Sequence, residues 1–269
     1  MSQPTIVSFW HGPFSWLERL SVASFCRNGH PVEIYTYAPA ADFPEGAVQR
    51  DAAEIVPADR LVFYKGKGTP GVFSDQFRLC LLKASRGIYS DLDVYCVRPW
   101  AELPDYVMGL ESATSVNNAV LGMPSDEPLL DDLLSVFEVG RRPLLEPHLP
   151  LGRRLEVAAR RLLGDRVAPE HMQFGATGPF ALTYYLRVRG LLAKALPQAV
   201  FYPIPYEGIP ALMQAGSSVD GAIGPDTLAI HLWRSQLTRR GRADMPLPEP
   251  GSALWALCQR EGIALGGPR

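Results

Sequence analysis

The stretch from Ser74 to Asp93 constrains the chain more than any other, because it demands a helix and a strand in immediate succession and leaves two carboxylates at the strand's end. Ser74 is a favoured N-cap residue, and Phe77, Leu81 and Leu82 recur at helical spacing on the way to Arg86. Gly87 supplies the left-handed residue that commonly closes a helix. Ile88-Tyr89 then reads as a very short apolar strand, with Asp91-Leu92-Asp93 following where the chain leaves the sheet. Alternation along an extended segment turns Asp91 and Asp93 to one side, with Leu92 and Val94 on the other. Two carboxylates held on one side repel each other unless a cation lies between them. Hard oxygen ligands of this kind suit Mg²⁺ or Mn²⁺, which keep open positions for phosphate oxygens.

A lone Asp-x-Asp is a weak motif, and two solvated turn aspartates are the bland alternative. Its neighbours sharpen it. Asp75 and Arg78 stand at i and i+3 on one helical face, at the predicted helix start, where backbone N–H groups and the dipole favour an anion. Asp75 precedes Asp91 by 16 residues (91 − 75), the length of one helix plus a short strand. An Asp/Arg pair gripping a sugar and an Asp/Asp pair gripping a metal are therefore expected to converge on one site.

The N-terminal segment sets the fold class. Thr5 to Phe9 reads as a buried strand, Trp10-His11-Gly12-Pro13-Phe14 as the loop after it, and Ser15-x-x-Glu18 as a capping box opening a helix that stops at Gly29. Val32 to Tyr37 is the next strand. Strand, helix, strand implies parallel pairing, and ligands of such sheets bind beyond the carboxyl ends of strands, where Trp10, His11 and Gly12 lie. Trp10 either stacks on a base or packs the core.

The 269 residues, 47% hydrophobic with net charge −2, fit one domain spanning 1–269 and give no general attraction to nucleic acid. The N-terminus lacks a basic region before its apolar segment, and no apolar run reaches the roughly 18 residues needed to span a bilayer. Cys26, Cys80, Cys96 and Cys258 show no C-x-x-C spacing, so reduced thiols in the cytoplasm are expected.

Further along, a strand is expected near Ala53 to Val56, and Lys65-Gly66-Lys67-Gly68 reads as a surface loop that could act as a lid. Tyr106 to Glu111 and Asn118 to Met123 read as strands, with Ser115 to Asn118 as a polar turn. Helices are expected over Asp126 to Arg141, Arg153 to Leu163, Phe180 to Arg189 (closed by Gly190) and Ser252 to Glu261. The arginines at 153, 154, 160 and 161 form either a solvated face, the commoner outcome, or a contact with anionic membrane. Leu228 to Trp233 is a late strand in which His231 falls among apolar residues, and Arg234, Arg239, Arg240 and Arg242 follow as a basic stretch.

The block Phe73-Ser74-Asp75-x-x-Arg78, with Arg86-Gly87-Ile88-Tyr89-x-Asp91-x-Asp93, resembles the DXD-containing sugar-transferase region shared by glycosyltransferase family 32 and the glucosylating clostridial toxins. The likeness is clearest over residues 5–123 and returns at Thr177-Gly178-Pro179 and His231-Leu232-Trp233. It implies an α/β fold of the GT-A type, a single Rossmann-like mixed sheet flanked by helices. Residues 1–123 would form the nucleotide-sugar and metal part, and 124–269 the acceptor side and the C-terminal metal-site strand. It further implies a metal-dependent, retaining transfer of a hexose from a UDP- or GDP-sugar, UDP favoured, to a hydroxyl of a glycan, a lipid-linked sugar or a protein. Such an enzyme would belong to polysaccharide biosynthesis, in the cytoplasm or against the inner membrane face. By the same resemblance Asp91, Asp93 and His231 hold Mn²⁺ or Mg²⁺. Asp75, Arg78 and Asp93 are the catalytic set, and Trp10, His11, Gly12, Tyr89, Asn118 and Gly178 join Asp75, Arg78 and Asp91 at the donor. Arg234 stands where relatives often place Asn, which leaves the last metal ligand open. The rival readings are a nucleotidyltransferase, against which the missing Gly-rich triphosphate loop after the first strand argues, and a catalytically silent nucleotide-sugar binding module.

Overall fold

The computed structural model describes residues 3–64, 68–138, 147–238 and 245–266. The expected loop at Lys65-Gly66-Lys67, the end of the helix expected to reach Arg141, and the basic residues Arg239, Arg240 and Arg242 lie outside them. In chain order the main elements are β1 (Ile6–Phe9), α1 (Trp16–Arg27), β2 (Val32–Thr36), β3 (Ala47–Asp51), α2 (Gly71–Lys83), β4 (Ile88–Ser90) and β5 (Val94–Cys96). Then come β6 (Val107–Ser112), β7 (Ser115–Gly122), α3 (Pro128–Ser135), α4 (Leu151–Leu162) and α5 (Ala181–Val188). The chain closes with α6 (Gln198–Phe201), β8 (Ala229–His231), α7 (Arg234–Leu237) and α8 (Ala253–Arg260).

Six strands form a mixed sheet in the order β3-β2-β1-β4-β7-β6, and β5 and β8 form a separate pair. The fold is therefore α/β, as the N-terminal pattern requires. The chain condenses into two compact units interleaved along the sequence: residues 1–50, 90–103 and 197–269 form the first, and 51–89 and 104–196 the second.

In the first unit β1 pairs parallel to β2 with Ile6 opposite Val32. All four residues of β1 are buried, the polar Ser8 among them donating its hydroxyl to the Ser90 carbonyl. The capping box opening α1 is present: Ser15 accepts from the Leu17 N–H and the Glu18 carboxylate returns to the Ser15 N–H. Gly29, with φ of 80°, ends the helix, its N–H on the Cys26 carbonyl and that of His30 on Phe25. Leu17 and Leu20 of α1 bury completely into a core with Tyr95, Ile230, Leu232 and Leu254. β5 and β8 run antiparallel with Val94 opposite His231. The strand expected through Trp233 ends at His231, because Trp233 takes a left-handed backbone (φ 40°) that no strand accommodates.

In the second unit α2 begins three residues earlier than Ser74. Pro70 occupies the cap, Val72 and Phe73 bury completely, and the Ser74 N–H already donates to the Pro70 carbonyl. Asp75 and Arg78 thus stand a turn inside the helix, where the N–H groups are spent, and the expected anion-binding helix start does not apply to them. The helix also stops before Gly87. Ser85 takes the left-handed position (φ 53°), its N–H on the Leu82 carbonyl and that of Arg86 on Leu81. The strand expected near Ala53 lies upstream as β3, because Asp51 caps a tight helical turn at Ala52–Glu54 through the Ala53 N–H. β6 and β7 form an antiparallel hairpin turning at Ala113-Thr114, so the polar turn expected at Ser115 to Asn118 is strand. Asn117 and Asn118 are buried there and hydrogen-bonded, Asn117 donating to Glu111 at 2.6 Å and accepting from the Ala119 N–H at 2.7 Å. Thr177, Gly178 and Pro179 lie in a wide helical turn (Ala176–Phe180) that runs directly into α5.

Candidate functional site

The first unit gathers the metal-ligand residues. β4 delivers the chain to Asp91, a tight turn carries Leu92 and Asp93, and β5 starts at Val94. The two aspartates are brought together by this turn and not by strand alternation. The β5–β8 register sets His231 opposite Val94, and the Leu232 N–H donates to the Asp93 carbonyl at 2.7 Å. One ligand atom from each of Asp91, Asp93 and His231 then falls within 4.8 Å of the others. Two carboxylates and an imidazole are an acceptable set for Mn²⁺ or Mg²⁺. His231 Nε2 lies 3.2 Å from Asp93 Oδ1, while its buried Nδ1 has no hydrogen-bond partner, a rare condition for a buried polar atom. Burial pushes the Asp93 carboxyl up, but His231, the Arg234 backbone N–H and the Arg234 guanidinium outweigh it. The group is held below the usual carboxylate value.

Arg234 ties this cluster to the loop after β1. Its N–H donates to Asp93 Oδ2 at 2.7 Å, an approach that the left-handed Trp233 makes available. Its guanidinium pairs with Glu18, which is fully buried, and lies 5.3 Å from the centre of the Trp10 ring. Trp10 is half-buried, stacks on Phe14 at 5.7 Å and donates from Nε1 to the Gly12 carbonyl at 3.0 Å. His11 and Gly12 are exposed. Glu18 is thus more than a capping residue, and nothing in its spacing to Arg234 discloses the pairing.

The second unit gathers Asp75, Arg78, Tyr89, Asn118 and Gly178. Asp75 Oδ1 accepts from Asn118 Nδ2 at 2.8 Å and faces Arg78 at 3.4 Å; Oδ2 accepts from Thr177 at 2.7 Å. The Arg78 guanidinium reaches the Asn118 carbonyl and the Ser74 hydroxyl and lies 4.4 Å from the centre of the Tyr89 ring. Tyr89 is buried and its hydroxyl meets Ser74 at 3.1 Å. A Cβ on Gly178 would lie 2.7 Å from Asn118 Nδ2 and 2.8 Å from Asp75 Oδ1, so only glycine allows this closeness. Tyr64, whose hydroxyl lies 3.3 Å from Thr177, joins the same network. Burial, with the Asp75 charge second, raises its phenol above the usual value. Sequence reasoning had no signal for Tyr64, which precedes Asp75 across a proline- and glycine-rich segment.

No family model and no curated protein matches the chain. Among solved structures it is similar to one titled PaToxG Glycosyltransferase, at 18% identity and a TM-score of 0.44, over 71% of this chain and 73% of that one. A likeness at that level carries nothing over to this chain's residues.

Proposed function

We propose that the protein is a metal-dependent glycosyltransferase that moves a hexose from a nucleotide diphosphate sugar to an acceptor hydroxyl. The observation that carries this reading is the cluster of Asp91 and Asp93, after β4, with His231 of β8, one ligand atom of each lying within 4.8 Å of the others. A divalent cation bound there, Mn²⁺ or Mg²⁺, supplies Lewis-acid stabilisation of the charge that develops on a departing nucleoside diphosphate. Asp93, kept ionised by its surroundings, provides charge at neutral pH, and Asp91 adds a second carboxylate. Trp10, His11 and Gly12, in the loop after β1, are assigned to the nucleotide. Asp75 and Arg78 are assigned to the sugar hydroxyls, with Tyr89, Asn118 and Gly178 also at the donor. These assignments, like retention of anomeric configuration, preference for UDP and a glycan, lipid-linked or protein acceptor, rest on the resemblance to the DXD transferases.

One observation favours a second reading, a catalytically silent binding module. Both Asp93 oxygens already meet protein groups, His231 and the Arg234 N–H. Hydrolysis of a panel of UDP- and GDP-sugars with Mn²⁺ and with EDTA decides between them. Release from one donor, abolished by EDTA, is expected. Thermal stabilisation by UDP or GDP plus Mn²⁺ without release would leave the silent module, and neither effect would end both readings.

A further inference from the structure

We propose that Arg234 is a positioning residue for the cation cluster: held by Glu18, it orients Asp93 and His231 from outside the cluster. The inference rests on the reading of Asp91, Asp93 and His231 as a divalent-cation site. The Arg234 side chain is itself no ligand, because a guanidinium stays protonated and only donates. Its part is played through its neighbours, and they meet at the turn after β8. Trp233 there takes φ of 40°, an uncommon conformation for a residue with a Cβ, and brings the Arg234 N–H to 2.7 Å from Asp93 Oδ2. Oδ1 is then the oxygen that faces His231 Nε2, at 3.2 Å. The same turn lays the Trp233 indole beside the His231 imidazole, with ring centres 4.3 Å apart. One turn therefore fixes both the free oxygen of Asp93 and the plane of His231.

The pair with Glu18 fastens that turn to α1. Glu18 divides its two oxygens: Oε2 accepts from the Ser15 N–H at 2.6 Å, closing the capping box, and Oε1 takes the Arg234 guanidinium. The Glu18 side chain is completely buried, and a buried carboxylate depends on its partner, whereas the Arg234 side chain is 30% exposed. The guanidinium also meets the Ser15 hydroxyl at 3.4 Å. Groups that hold metal ligands from outside typically change metal affinity by about 10- to 100-fold when they are removed. Charge alone predicts the opposite sign. A guanidinium beside a cation site repels the cation, so its removal would tighten binding, whereas the loss of an orienting anchor loosens it.

Titration of the full chain with Mn²⁺ alone, the free ion followed by electron paramagnetic resonance, reads the affinity without donor or turnover. Wild type is expected to bind Mn²⁺ and Asp93→Ala to lose it. Arg234→Ala is expected to raise the Mn²⁺ dissociation constant by about tenfold or more. Arg234→Lys, whose ammonium still pairs with Glu18, is expected to raise it less. Glu18→Gln keeps a capping acceptor for Ser15 but loses the ion pair, and is expected to weaken binding as Arg234→Ala does. Circular dichroism identifies the folded variants, and Glu18→Gln decides if Arg234→Ala does not fold. Wild-type or tighter Mn²⁺ binding by either folded variant overturns the inference and leaves the cation site standing. No binding by wild type, or equal binding by Asp93→Ala, ends the reading of the cluster and the inference with it.

Discussion

In the second unit Asp75 is gripped by an amide, a hydroxyl and a guanidinium; in the first, Asp93 meets an imidazole and a backbone N–H, with Asp91 close by. Both carboxylates are shielded, yet their partners differ in kind. Around Asp75 the charges balance internally: Arg78 is buried and needs the carboxylate to remain so. Around Asp93 a second acid and an imidazole bring three potential ligand atoms within 4.8 Å of one another. The difference teaches that the Asp75 network is closed by protein groups, whereas the Asp93 cluster brings together three groups of the kind that could hold a cation.

The largest effect should come from Asp75→Ala. It leaves the Arg78 guanidinium buried without a counter-charge, and the urea unfolding midpoint should fall by the equivalent of about 3 to 5 kcal/mol. A variant as stable as wild type but lacking activity would reverse the comparison. Next comes Asp93→Ala, expected to lower donor hydrolysis by on the order of 100- to 1000-fold while the protein stays folded. A folded variant with wild-type turnover would remove the metal assignment. Gly178→Ala pushes a methyl into Asn118 and Asp75 and should cost about 1 to 3 kcal/mol in the same unfolding measurement. If it costs nothing, the network around Asp75 is looser than its distances say.

The smallest effect is one of pH. His30 Nε2 accepts from the Trp100 N–H and Nδ1 meets the Pro4 carbonyl at 3.0 Å, so the ring is neutral. Burial holds its pKa below 6.5, the Pro4 hydrogen bond only partly opposing that. A depressed histidine contributes stability that is intact above 6.5 and is lost as pH falls through the folded value. The unfolding free energy from urea titration should therefore drop between pH 7.5 and 5.5 by more in wild type than in His30→Gln, a difference of about 1 kcal/mol, the worth of one such hydrogen bond. Equal drops would place the acid sensitivity elsewhere.

Much of the framework was legible in local pattern. Ser15 with Glu18, Gly29, the buried run of β1 and its parallel partner β2 are set by capping chemistry, left-handed glycine and uninterrupted burial, all of which act over a few residues. The pair Asp91 and Asp93 was also legible, though for the wrong local reason, since a turn and not alternation brings them together. Helix ends were misjudged where tertiary burial overrode a good cap: Val72 and Phe73 pull α2 upstream of Ser74, and Ser85 takes the strained position that Gly87 was expected to hold.

By itself the sequence determined which residues carry charge, which segments alternate, and that a strand, a helix and a strand open the chain. Only the tertiary structure decided that His231 stands opposite Val94, that Arg234 bridges Glu18 and Asp93, and that Asn118 and Thr177 close on Asp75. The reason is physical. A cap or a turn is stabilised by groups a few residues apart, whereas ion pairs, ligand clusters and exposed faces depend on which distant segments exclude water from one another, and that is settled by packing.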